Sequence, residues 1–111
     1  MKYEIWKIPL SNPNKFMGSQ YRKKPVKIED YVMVYKGKTN DPMGNRRILE
    51  MLFDKFNNDW PSDYHSESMS VSDLVCTIND NNNERTWWYV DSIGFEKVMV
   101  DVEVKITVEL I

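Results

Sequence analysis

The sequence predicts an α+β domain: an antiparallel β-sheet of four to five strands packed against one main helix plus one short helix. Three observations carry that expectation. Apolar residues alternate with polar ones in segments near both ends of the chain. They recur at three- and four-residue steps in one central stretch. Most of the helical signal lies between the strand-like segments, the arrangement in which a sheet buries a face under a helix. At 111 residues with 41% apolar and 13% aromatic content, the chain is sized for one core over residues 1–111 and is far from a disordered composition.

The opening run "KYEIWKI" reads as a strand closed by Pro9 and the turn-rich "SNPNKFMGSQ". In "YRKKPVKIEDYVMVYKGK", Pro25 interrupts and "DYVMVYKG" has the β-branched and aromatic content of a second strand ending at Gly37. The segment "NRRILEMLFDKFN" is the clearest helix. Its Ile48, Leu49, Leu52, Phe53 and Phe56 form one apolar stripe, Asn45 is placed to cap it, and Arg46 and Glu50 stand at the spacing where helical charges meet. Trp60 before Pro61 ends it. Ser70, three residues ahead of Asp73, forms a capping-box variant that predicts a short helical turn through about Val75. Ser72 would lie in its first turn, and Met69 and Leu74 would staple its start. "NDNNNE" reads as a hairpin loop, and "RTWWYVDSIGF" as the returning strand, ended near Gly94. From Val98 to the end, Val98, Val100, Val102, Val104, Ile106, Val108 and Leu110 share one parity, which predicts a strand extension over residues 98–111 with one wet face. Straight, it would reach about 43 Å against a globule about 34 Å across, so it must bend or pair with something beyond the body.

Several function classes are excluded by what the residues lack. No glycines are grouped into a phosphate cradle, and one histidine with one cysteine offers no metal-ligand cluster, so no metal and no cofactor is expected. Cys76, inside "LVCTI", is expected to be a buried, inert thiol. No apolar run approaches a membrane span, and "MKYEIWKIPL" has strand character without a signal pattern, so a reducing cytoplasm is the expected location. The segment "DYHSESMSVSD" concentrates four serines around the single histidine, His65. Nucleophilic catalysis there needs His65 as a base within reach of a serine, yet no glycine elbow surrounds any of them. The segment is expected to start a helix, with no catalytic residue.

Binding surfaces are better supported. Residues 1–38 hold nine Lys/Arg against three acids, a net of +6, and residues 39–111 hold six against fourteen, a net of -8. Tyr21, Arg22, Lys23, Lys24 and Lys27 form the densest basic run with an aromatic beside it, a pattern suited to RNA phosphates, and Arg46 and Arg47 would extend it if folding brings them near. Trp87 and Trp88 point to opposite faces of a strand, so one is expected to anchor a partner unless another element covers it. Asp101, Glu103 and Glu109 on the wet face of the last strand suit capture of a basic protein segment, or pairing of that strand in a homodimer.

Four segments in order, "YVMVYKG" (31–37), "LEMLFDKFN" (49–57), "DYHSESMSVSDLV" (63–75) and "WYVDSIGFEKV" (88–98), resemble the YodL-like domain family, small proteins of Firmicutes that are common on plasmids and other mobile elements. Where this chain carries His65 to Glu67, the family usually has a glycine or a basic residue. The resemblance implies an interaction or regulatory module. The expected function is a non-catalytic inhibitor or regulator that binds a bacterial protein, in its sharpest form an anti-CRISPR protein that binds Cas9 or its guide complex and blocks guide or target loading. One alternative is a host regulator of a cytoskeletal or cell-shape target, which the resemblance also implies. The other is a small hydrolase or nuclease using His65.

Overall fold

In the computed structural model, which describes residues 1–22, 25–39 and 44–101, the described residues form seven strands and one α-helix. The strands are β1 (Lys2–Lys7), β2 (Val26–Lys27), β3 (Val32–Lys38), β4 (Leu74–Ile78), β5 (Arg85–Val90), β6 (Phe95–Val98) and β7 (Val100–Asp101). Helix α1 (Asn45–Asn58) lies between β3 and β4, and a single 3-10 turn occupies Ile28–Asp30. The main sheet has the order β3-β1-β4-β5-β6 with every neighbouring pair antiparallel. The α+β expectation is therefore met, with five strands in the sheet.

Strand alternation divides the side chains between two faces. Tyr3, Ile5, Val75 and Val90 meet Ile48, Leu49, Leu52 and Phe56 of α1 in one core. Burying those four helical side chains contributes roughly 6–12 kcal/mol before conformational entropy is counted. Phe53, expected in the stripe, is 41% exposed at the flank of the buried arc, where its ring meets that of Phe95 edge to face. Asn45 is the first helical residue and does not cap. Gly44 holds the N-cap position with no side-chain bond, and its carbonyl accepts from the amides of Arg47 and Ile48. The Arg46–Glu50 pair forms as expected, at 3.4 Å.

The second face is also covered. Leu74 and Tyr89 pack with Ile8, Val26 and Tyr31 from the segment between β1 and β3. This second core displaces the predicted helical turn at 70–75. Residues 71–72 form a turn and the chain passes directly into β4, whose five residues are all buried. The capping contact is made in part, since the Ser70 amide donates to Asp73 Oδ2 at 2.8 Å. Asp73, however, has a stronger partner, Lys7 Nζ at 2.7 Å, and is fully buried. No staple forms either, because Met69 enters the helix-side core and Leu74 the opposite one. Period-two burial on both faces of β4 outweighed the local cap.

The C-terminal run is broken at Met99, 93% exposed, where the chain leaves the main sheet. β6 pairs with β5, while β7 pairs in parallel with β2. Residues 102–111 lie outside the described residues. The charge division along the sequence is folded together in part. Arg22 donates two bonds of 3.2 Å to Glu96, Lys7 meets Asp73 at 2.7 Å, and Lys15 meets Glu67 at 3.8 Å. The chain is polar in sequence, and its two halves interleave in space.

Candidate interaction surfaces

The serine-rich segment is a structural hub. Ser72 adopts φ +85°, its amide donates to the Val90 carbonyl at 2.9 Å, its hydroxyl accepts from the Phe16 amide at 2.9 Å, and its carbonyl accepts from the Tyr31 hydroxyl at 2.7 Å. Lys7 joins the hub by donating to both Asp73 and the Ser68 carbonyl. Burial pushes the Asp73 carboxyl above its ordinary range, and Lys7 opposes that shift. Its side chain is sealed from solvent, so it meets no substrate. His65 is exposed and has no hydrogen-bond partner among the described residues, which removes the serine–histidine contact a hydrolase would need. Cys76 is fully buried, with its thiol pushed up to about 11 by desolvation. Among the described residues no three His, Cys, Asp or Glu side chains are grouped to hold a metal, and no helix is long and apolar enough to cross a membrane.

The structure separates the basic residues that were expected to act together. Tyr21 is 71% exposed and Lys27 is exposed on β2. Arg22 is taken: its side chain is buried, paired with Glu96, and its guanidinium lies 4.5 Å from the centre of the Tyr89 ring. Lys23 and Lys24 lie outside the described residues. Arg46 and Arg47 begin a helix that packs on the opposite face of the sheet from Val26 and Tyr89, so they do not extend the patch. Sequence order hid this because the register of β1 and β4 decides which element covers which face.

Trp87 and Trp88 do point to opposite faces, and both are half-buried. Trp88 packs on the helix side and donates to Thr77 Oγ1 at 3.2 Å, while Trp87 lies 5.7 Å from Trp6 on the other side. Of the acidic tail, only the backbone of Asp101 is described, in register with Lys27, and Glu103 and Glu109 lie outside the described residues.

Trp88 contributes to a groove that sequence reasoning missed. Two adjoining clefts of about 430 and 540 Å³ run between α1 and the 91–94 turn and share Glu50, Gly94 and Phe95. Apolar contacts come from Leu49, Phe53, Trp88, Phe95 and Ile93, the last 93% exposed at the turn. Gly94 closes the turn at φ +72°, a conformation a side chain would strain, and its carbonyl accepts from the Asp91 amide at 3.0 Å. Glu50, Asp54 and Asp91 edge the groove, with Arg46 as its one cation among the described residues. The Ser19 amide, donating to Asp91 at 3.0 Å, holds that carboxyl below its ordinary value, so it stays ionised. The available signal was an isoleucine inside "DSIG", where a turn ordinarily carries polar residues.

The comparisons with known proteins bear on this geometry. The profile of the YodL-like domain matches residues 2–100. That span contains both sides of the groove and the Lys7–Asp73 hub. Searches of curated proteins and of solved structures returned no match.

Proposed function

The chain belongs to the YodL-like domain family, and from that premise we propose that it is a non-catalytic regulator that binds a bacterial protein and is carried by a mobile element. The docking site in this reading is the groove between α1 and the 91–94 turn, and its occupant is a basic, amphipathic segment of the target. One observation carries the reading: Ile93 stands 93% exposed beside a cleft lined by Trp88 and Phe95. Burying such a side chain in a partner contributes about 1.5–3 kcal/mol, the size of a contact that anchors an interface. The carboxylates of Asp54 and Asp91 favour a cationic partner and disfavour an acidic one.

Within that class the sharpest target is a CRISPR effector of the Cas9 type, whose basic segments would be masked before guide or target loading. A cytoskeletal or cell-shape target is the second reading, supported by the implication of the family resemblance. Binding of purified Cas9, alone and guide-loaded, to the wild-type chain and to Ile93→Asp tests the first. Expression in a host without a CRISPR effector tests the second. Wild-type binding reduced tenfold or more by Ile93→Asp, about 1.4 kcal/mol, is expected for the anti-CRISPR reading. Altered cell shape in the second host, lost with Ile93→Asp and without Cas9 binding, moves the assignment to the cell-shape target. If Ile93→Asp leaves both readouts unchanged, the groove is not the docking site.

A further inference from the structure

The opposite face of the sheet carries a second surface, independent of the groove. Register places Lys38, Lys2, Ile78 and Arg85 in one row across four strands, with Lys36 and Glu4 in the next. At about 4.8 Å between strands, the first row spans roughly 14 Å. These residues line a cleft of about 560 Å³ together with Tyr3, Gly37 and Asn83. The carboxylates beside it are already engaged. Glu4 accepts from Arg85 at 2.7 Å and from Trp6 Nε1 at 3.1 Å, Asp80 is paired with the N-terminal amine, and Glu84 accepts from Asn82. Asp80 also feels Lys2 and Lys38 at longer range, and together these contacts lower its pKa. Lys2, Lys36 and Lys38 are exposed and have no ion-pair partner among the described residues. Glu84, bonded only to a neutral amide among these contacts, offsets part of the three ammonium charges, and the face keeps a positive surplus.

The lining has no large apolar side chain that is exposed, so it lacks the anchor a protein interface ordinarily uses. Farther along the same face, two residues beyond Glu4 and Arg85, the Trp6 and Trp87 rings lie 5.7 Å apart and are both partly exposed. Lysines on a shallow sheet face with an indole pair beside them match the two parts of single-strand recognition, a phosphate track and a base-stacking platform. A shallow sheet face is unsuited to entering a duplex groove, which admits a helix or a protruding ribbon. We propose that this face binds single-stranded nucleic acid, with Lys2, Lys36 and Lys38 on the phosphates and the Trp6–Trp87 pair against a base. The basic run at 21–27 is not its centre, because Arg22 is consumed within the fold.

The test uses the full chain and a dye-labelled oligothymidylate of about twelve nucleotides, read by anisotropy across a salt series. The double variant Lys36→Glu/Lys38→Glu changes two exposed side chains, and circular dichroism checks its fold. Arg46→Glu/Arg47→Glu makes the same charge change on the opposite face. The expected result is at least tenfold weaker binding for the lysine variant, less than twofold for the arginine variant, quenching of tryptophan emission on binding, and a slope near -2 in log affinity against log salt for about three phosphate contacts. Equal losses in the two variants, or no binding at low salt, would overturn the proposal. So would a polyglutamate chain that binds with the same lysine dependence while the oligonucleotide does not, since the face would then be built for an acidic protein.

Discussion

Ser72 holds a left-handed backbone at φ +85° although it carries a side chain, a conformation that costs of order 1–3 kcal/mol and persists only when its surroundings enforce it. Three hydrogen bonds do so, to Val90, Phe16 and Tyr31, and the strain turns the chain so that Asp73 faces Lys7. Removing one partner of that buried pair leaves an uncompensated charge, so Lys7→Ala and Asp73→Ala should each cost about 3–5 kcal/mol in urea unfolding. Lys7→Met combined with Asp73→Leu should cost less than the sum of the two. The pH dependence has a defined sign. Burial raises the Asp73 pKa above the unfolded value of 3.8, so its contribution to stability is present below 3.8 and is lost as pH rises through the folded value. Asp91, held low by the Ser19 amide, contributes above 3.8 and loses that as pH falls. Asp73→Asn should remove only the first slope from a denaturation series over the carboxylate range. Cys76, raised from 9.0 to about 11 by burial, should react with a thiol reagent at mild alkaline pH about 100-fold more slowly in the native chain than in urea. Comparable rates would show that β4 opens readily.

Helix α1 shows how an element can be placed by packing while its own ends are poorly made. Its first turn has no acidic residue, carries Arg46 and Arg47 against the helix dipole, and starts from a glycine that caps with no side chain. Among the described residues a side chain at Gly44 meets nothing within 4 Å, and its φ of -63° suits any residue. Gly44→Asp should therefore stabilise the protein by about 0.5–1.5 kcal/mol, a few degrees in thermal midpoint, through the cap, the dipole and a stiffer unfolded chain. No gain would mean that the helix start is fixed by the Ile48 and Leu49 contacts alone. The strand that followed the "SVSD" cap illustrates the converse. A local signal worth about 1 kcal/mol was set aside by a five-residue strand buried on both faces.

Across the whole molecule, the two proposed surfaces lie on opposite faces of one sheet and share no residue. They should act independently. Ile93→Asp should leave oligonucleotide affinity within twofold of wild type, and Lys36→Glu/Lys38→Glu should leave the capture of a protein target intact when nuclease is present. A loss in both assays from either variant would show the faces to be coupled through the sheet. Arg22, pinned between Glu96 and Tyr89, fastens the covering segment to β6 and makes the sequence's basic third part of the body.

The sequence by itself determined strands β1, β3 and β5, the α1 stripe apart from Phe53, the hairpin at 79–84 and the burial of Cys76, because these follow from residue type, periodicity and turn chemistry within a few residues. Its resemblance to the YodL-like family was legible in four short segments. Tertiary structure alone decided which strand neighbours which, and with that which charges meet. The pairing of Lys7 with Asp73 spans 66 residues, that of Arg22 with Glu96 spans 74, and the row of Lys38, Lys2 and Arg85 is assembled from three separate strands. No local pattern encodes such registers, since they are set by which strands lie beside the doubly buried β4 and which elements cover its two faces.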